Sequence, residues 1–126
     1  MKNKKIKIIY PELSYKLTGI FYKVHNEMGR YSREKQYSDA IEKLLKDNNI
    51  KYEREKRIII NKEFSGNIVD FCIEDKILVD VKAKRFITRE DYYQMKRYLI
   101  SCGLDLGLIV NFQNKYLKPT RVLNLY

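Results

Sequence analysis

Two apolar, β-prone runs that each contain charged residues place the strongest constraint on this chain. Residues 68–73 carry Asp70, and residues 77–82 carry Asp80 and Lys82. β-branched and aromatic residues favour strands, and a three-residue link between two strands predicts an antiparallel hairpin. Charges inside such strands cost free energy unless they are paired or bind a metal. The sequence therefore predicts a hairpin whose charged side chains meet one another or a metal ion.

The spacing of these charges predicts where they lie on the hairpin. Alternate residues of a strand share a face, so Asp80 and Lys82 point to one side while Val81 packs on the other. If residues 74–76 form the loop, counting back along both strands sets Asp70 directly opposite Asp80. A two-residue loop would instead move the register by one and put the two carboxylates on opposite faces. The length of the loop therefore decides whether the carboxylates meet.

Two interpretations of this pair of carboxylates stay open at this point. Opposed side chains on neighbouring strands have Cβ atoms about 4.5–5.5 Å apart, so two bare carboxylates would repel each other. A hard divalent cation relieves that repulsion, because it prefers carboxylate oxygens and water. Two carboxylates, a lysine and a metal are the components that phosphodiester hydrolysis needs. The alternative is a buried ion pair between Asp80 and Lys82, with Asp70 capping a turn.

Composition narrows the class of partner. The chain of 126 residues has 26 Lys and Arg against 16 Asp and Glu, a net charge of +10 that favours polyanionic partners. No apolar run approaches the roughly 20 residues that a membrane helix needs, so we expect no membrane partner. No secretory leader is visible, and two cysteines without a metal-ligand pattern fit a cytoplasmic protein.

The periodicity of the apolar residues predicts eight elements in the order ααβββαββ. Helices end at Gly29 and Gly103, and Thr88 is a candidate N-cap with Asp91 as its capping-box partner. The predicted helices lie at about 13–28, 33–47 and 89–102, and the strands at 52–60, 68–73, 77–82, 106–112 and 120–125. This order predicts an α/β (α+β) fold with a mixed central β-sheet flanked by helices, in which strand 106–112 is central. Residues 1–126 form one domain in this interpretation, with residues 1–11 left open as a basic arm.

The residues of the hairpin and several further segments together match a known sequence pattern. The matching positions are residues 24–29, 34–37, Asp70, 80–82, Gln94, 98–99, 107–112 and 121–123. The hairpin resembles the PD-(D/E)XK nuclease superfamily. The chain from Leu13 onward also resembles the small bacterial and archaeal family named after its GxxExxY motif. The resemblance implies a restriction-endonuclease-like three-layer sandwich. One departure is the stretch 30–33, Arg-Tyr-Ser-Arg, where family members usually carry a second glycine after the one matched by Gly29.

The resemblance also implies roles in binding a metal. Asp70 and Asp80 would be direct ligands of Mg²⁺ or Mn²⁺, and the carbonyl of Val81 could assist them. Glu34 would reach the metal through water from a helix at the side of the sheet. From the sequence alone, Glu34 is almost as well explained as an exposed first-turn glutamate that the helix dipole favours.

The remaining implied roles concern water, phosphate and the nucleic acid. Lys82 would orient or help to deprotonate the attacking water, and Gln94 would position water or phosphate, unless it is simply a solvated helix residue. Six residues near the hairpin and on the third helix are candidate contacts to nucleic acid: Lys84, Arg85, Arg89, Lys96, Arg97 and Tyr98. The prediction is a metal-dependent nuclease whose substrate is DNA rather than RNA, with a symmetric homodimer as one assembly open to it. The alternative is a catalytically weak nucleic-acid-binding or accessory module with a nuclease fold.

Overall fold

The computed structural model describes residues 9–59 and 67–124, and its elements follow the predicted order ααβββαββ. The helices are α1 (Pro11–Met28), α2 (Glu34–Asp47) and α3 (Arg89–Cys102). The strands are β1 (Tyr52–Ile58), β2 (Asn67–Ile73), β3 (Ile77–Lys82), β4 (Leu106–Asn111) and β5 (Thr120–Leu123). Most of the predicted basic arm lies outside the described residues, as do the strand ends predicted at residues 60 and 125.

The helix boundaries follow from local chemistry that the sequence already contained. α1 stops at Gly29 and α3 at Gly103, each with a positive φ (78° and 69°) that a residue with a side chain rarely adopts. The side chain of Thr88 accepts a hydrogen bond from the Asp91 amide at 3.1 Å, and the Asp91 carboxylate accepts one from the Thr88 amide at 2.8 Å. The predicted capping box is therefore confirmed.

The five strands form one mixed sheet in the order β1-β2-β3-β4-β5. The pairing of Ile73 with Ile77 confirms the three-residue turn between β2 and β3, and Glu74 and Asp75 in that turn both have a φ of 55°. β3 and β4 are parallel because α3 crosses between them, whereas the other pairs are antiparallel. The prediction that strand 106–112 is central was wrong. That strand is β4, and the central strand is β3, because only the short β5 lies beyond β4.

Helices cover both faces of this sheet, as predicted. α1 and α2 pack on the face that carries Ile77, Val79 and Val81, and α3 packs on the face that carries Leu78. By alternation Asp80 and Lys82 share the α3 face. No helix among the described residues is both long and apolar enough to cross a membrane. The layers are therefore two helices, the sheet and one helix, with the charged end of β3 facing the single helix.

A glycine lets α3 approach the sheet closely. A Cβ added at Gly107 in β4 would lie 2.5 Å from the sulfur of Met95, which is 1% exposed and cannot swing into solvent. Tyr98 and Leu99 are buried on the same side of the helix. Because α3 is held this close, its first turn lies beside the end of β3.

Candidate active site

The hairpin stops pairing through its backbone where its two aspartates meet. The last residues of β2 and β3 that pair through the backbone are Phe71 and Val79. The next pair along the strands would be Asp70 and Asp80. The amide of Val81 instead donates a hydrogen bond of 2.6 Å to the Asp70 carboxylate. A side-chain oxygen thus takes the place of a backbone carbonyl, and the two carboxylates come together as the predicted register requires.

The two carboxylates are close enough to share a proton. The pKa of Asp70 is raised to about 7, chiefly by burial and then by the hydrogen bond with Asp80 and the charge of Asp80, which together outweigh the lowering by the Val81 amide. Asp80 itself is only 9% exposed. Two buried carboxylates that cannot both ionise at low cost are a suitable donor set for a hard divalent cation, which would replace the proton.

We expect the Asp70→Asn substitution to stabilise the metal-free protein near neutral pH. The folded form holds the Asp70 proton more tightly than the unfolded chain does. The free energy of unfolding of the wild type should therefore fall as the pH rises from about 4 to about 7. An asparagine keeps an oxygen for the Val81 amide and does not ionise. Above this pH range, the free energy of unfolding of the variant should exceed that of the wild type by on the order of 1–3 kcal/mol.

Urea unfolding in EDTA on both sides of this pH range measures the effect. Asp75→Asn is the matched control, because Asp75 is an exposed carboxylate in the turn of the same hairpin. A wild type that gains stability through this pH range, while Asp70→Asn does not, would contradict the prediction.

Lys82 lies in a row of alternating charges on the α3 side of the site. Its ammonium nitrogen is 3.2 Å from the Asp80 carboxylate and 3.9 Å from that of Asp91, and Asp91 is in turn 2.5 Å from the ammonium of Lys84. Burial lowers the pKa of Lys82, but the charge of Asp80 and its hydrogen bond outweigh burial, so the net pKa is raised. In the metal-free protein Lys82 is therefore a fixed positive charge beside the acidic pair.

The sequence did not reveal the roles of two residues near Lys82, Asp91 and Asn111. Asp91 was predicted only as a helix cap, yet its buried carboxylate also pairs with both lysines. Asn111 was matched only within an apolar run. It is 2% exposed, pairs with Lys82 in the parallel register, donates to the Lys84 carbonyl at 2.7 Å and accepts from its amide at 3.1 Å. A polar residue at the end of a buried strand was the available signal.

Glu34 contacts the end of β3 from the start of α2, and it does so through the backbone. It is the exposed first residue of that helix, and its carboxylate accepts a hydrogen bond of 3.3 Å from the amide of Ala83, the residue after Lys82. Within the described residues no three His, Cys, Asp or Glu side chains converge tightly enough to hold a metal. Glu34 therefore borders the pair of Asp70 and Asp80 without joining it in a cluster of three.

The turn before Glu34 is held by Tyr37, despite the departure from the family pattern at residues 30–33. The ring of Tyr37 is fully buried and stacks on Phe112 at 4.3 Å. Its hydroxyl donates to the Gly29 carbonyl at 2.5 Å and accepts from the Ser32 amide at 3.2 Å. The buried tyrosine thus fixes the segment that delivers Glu34.

The candidate residues of α3 separate into buried and exposed groups. Gln94 is half-buried and lies on α3 one turn after Asp91. No hydrogen bond within the described part of the chain joins it to Asp70, Asp80 or Lys82. Tyr98 is 5% exposed, and burial and the charge of Asp80 raise its pKa. The expectation that Tyr98 contacts nucleic acid does not fit this position, because its ring belongs to the core under the site.

The predicted basic contacts differ in how freely their charges face solvent. Arg85 and Arg89 are exposed, and Lys96 is half-buried. Arg97 forms a surface ion pair with Glu90 at 3.2 Å, and Lys84 is held by Asp91. Among the predicted cations, Arg85 and Arg89 therefore offer the charge most accessible to a partner.

Comparison with known proteins identifies a family for this chain. A protein-family model described as the PD-(D/E)XK nuclease superfamily matches residues 11–122, a span that includes every helix of the described fold and both strands of the hairpin. No curated protein and no solved structure matches the chain.

Proposed function

Because this chain belongs to the PD-(D/E)XK nuclease superfamily and has its restriction-endonuclease-like fold, we propose that it is a metal-dependent nuclease that hydrolyses phosphodiester bonds in DNA. The observation that carries the proposal is the buried pair of Asp70 and Asp80 with the Lys82 ammonium 3.2 Å from Asp80. A purely structural ion pair would need only one of these carboxylates, so the second supports a site for a cation.

Asp70 and Asp80 would hold Mg²⁺ or Mn²⁺, with the Val81 carbonyl and, through water, Glu34 as further oxygen donors. When bound, the ion would lower the pKa of water and polarise the phosphate. The Val81 amide aligns the Asp70 carboxylate by donating a hydrogen bond to one of its oxygens.

Lys82 would supply the positive charge that the scissile phosphate and the attacking water need. A fixed ammonium next to the reacting groups stabilises the extra charge that develops on the phosphate. Asp91 keeps this ammonium in place from the side of α3, and Asn111 fixes the backbone that follows it. Gln94, one turn after Asp91, would position water or phosphate once substrate is bound.

The wider assignments are proposals of the same kind. The net charge of +10 supports a nucleic-acid partner, and we propose DNA rather than RNA, with Lys84, Arg85, Arg89, Lys96 and Arg97 along its path. We also propose membership of the GxxExxY family, a single domain over residues 1–126, a cytoplasmic location and a homodimer on branched or two-stranded targets.

Cleavage assays on supercoiled, linear and branched DNA, and on RNA of matched sequence, test the proposal. We expect DNA to be cut with Mg²⁺ or Mn²⁺ and left intact in EDTA, and calorimetry to detect Mn²⁺ binding. DNA binding without cleavage under any of these conditions would favour the alternative of a catalytically weak nucleic-acid-binding module. The backbone contact that already occupies Glu34 is the observation that favours this alternative.

A further inference from the structure

Three loops meet at the end of the sheet that carries the acidic pair. They are residues 29–33 between α1 and α2, residues 83–88 between β3 and α3, and residues 112–119 between β4 and β5. The second and third follow parallel strands, so both leave the sheet at the same edge. The first joins them because Arg30 donates a hydrogen bond of 2.9 Å to the Gln113 carbonyl.

Each of these loops exposes one aromatic ring. Tyr31 is 79% exposed, Phe86 67% and Tyr116 79%, and we call these three residues the aromatic rim. The residue before each ring is a cation that lies over it, at centroid distances of 5.3 Å for Arg30, 5.3 Å for Arg85 and 5.4 Å for Lys115. Three large exposed rings add nothing to the core, so they are available to a partner.

The three loops are also uniformly basic. Each contains two basic residues and no acidic one: Arg30 and Arg33, Lys84 and Arg85, Lys115 and Lys118. Of these six cations, Lys84 is committed to Asp91. A surface that repeats one aromatic ring and two positive charges in three separate segments matches a ligand that repeats flat rings and negative charges.

Hydrogen bonds between the loops hold the aromatic rim in place before any ligand arrives. Asn111 joins the second loop to the end of β4 through the backbone of Lys84, and it also bonds the side chain of Asn114 at 3.3 Å. His25, near the end of α1, bonds the Asn114 carbonyl at 2.9 Å, and Glu34 bonds the amide of Ala83. The three loops are therefore joined to one another at the end of the sheet that carries the acidic pair.

We propose that the aromatic rim binds unpaired nucleotides of a DNA strand, so that the substrate contains a single-stranded region next to the scissile bond. Bases would stack on the rings while the adjacent cations contact phosphates. A fully paired duplex buries its base faces and offers these rings nothing to stack on. The inference rests on the proposed function, because it deepens that function by naming the class of substrate delivered to Asp80 and Lys82.

The test compares binding of a labelled single strand and a blunt duplex by fluorescence anisotropy in EDTA, where no cutting occurs. The variant Tyr31→Leu/Phe86→Leu/Tyr116→Leu keeps apolar side chains and every cation but removes the stacking faces. We expect its affinity for the single strand to fall at least about 10-fold, and its affinity for the duplex to change less than about 2-fold. The matched control is Tyr15→Leu/Tyr22→Leu, two exposed tyrosines on α1, and it should bind both ligands as the wild type does.

Several outcomes would overturn the inference. These are an unchanged affinity for the single strand, an equal loss on both ligands, or the same loss in the control. An RNA of the same sequence is measured alongside, and tighter binding of RNA than of DNA would refute the assignment to DNA. The substituted rings are exposed, and circular dichroism with thermal unfolding checks the fold. Tyr116→Leu alone gives the same test in a single substitution.

The same experiment separates this inference from the proposed function. If the variant loses affinity for the single strand but the wild type never cuts DNA with metal, the role of the aromatic rim is supported and the nuclease proposal fails. If the wild type cuts DNA and the variant binds both ligands normally, the nuclease proposal stands and the aromatic rim has no role.

Discussion

The Asp80→Asn variant is expected to lose metal-dependent DNA cleavage by about 1,000-fold or more while it folds normally. Asp80 lies at the centre of the candidate site, since it contacts Asp70 on one side and Lys82 on the other. A bound metal contributes several kcal/mol to the stabilisation of the transition state, and each 1.36 kcal/mol is tenfold in rate. Asparagine has nearly the same shape but no charge, so the loss reports the role of the charge rather than a packing defect.

Initial rates of plasmid nicking with Mg²⁺ and with Mn²⁺ measure this loss, and calorimetry with Mn²⁺ shows whether metal binding is lost with it. The control is Asp75→Asn, which removes one negative charge from the same hairpin at an exposed position paired with Lys51 at the surface. It should cut at the wild-type rate. Cleavage by Asp80→Asn at more than about a tenth of that rate would exclude Asp80 as a metal ligand.

The Lys82→Met variant is expected to lose cleavage by about 100- to 1,000-fold and yet to bind Mn²⁺ at least as tightly as the wild type. Removal of a positioned charge from a developing anion has effects of this size. The affinity for metal should hold because the ammonium 3.2 Å from Asp80 competes with a cation for that carboxylate. Methionine is unbranched and only one atom shorter than lysine, so most of the packing against the first turn of α3 is preserved.

Rates at saturating metal, together with Mn²⁺ calorimetry, separate the two roles. Lys76→Met is the matched control, since it removes a lysine from the exposed turn of the same hairpin. A Lys82→Met variant that no longer binds Mn²⁺ would mean that the lysine organises the carboxylates and does not act on the substrate.

The parts of the site that depend on local chemistry were predictable from the sequence. The three-residue turn and the alternation along β2 and β3 were enough to bring Asp70 and Asp80 together and to set Lys82 beside Asp80. Turn length and strand periodicity act over a few residues, so they need no knowledge of the rest of the chain. The capping box at Thr88 was predictable for the same reason.

The parts that depend on packing between distant segments were not predictable. The second role of Asp91 requires α3 to lie across Lys82, which the close approach at Gly107 permits. The role of Asn111 requires the parallel register with Lys82. Tyr98 is different, because its spacing from Met95 already places it on the buried side of α3, so its prediction as a nucleic-acid contact could have been avoided.

The order of the strands in the sheet has a consequence for how the chain folds. Every strand pairs with its neighbour in the sequence, so no strand must wait for a partner from a remote part of the chain. Loop closure is cheap for such connections, and proteins rich in local contacts fold quickly. The longest connection within the β2–β5 region is the α3 crossover between β3 and β4, and its closure sets Asn111 beside Lys82. A hairpin of β2 and β3 without this crossover therefore already contains Asp70, Asp80 and Lys82 but lacks the contacts that Asp91 and Asn111 supply.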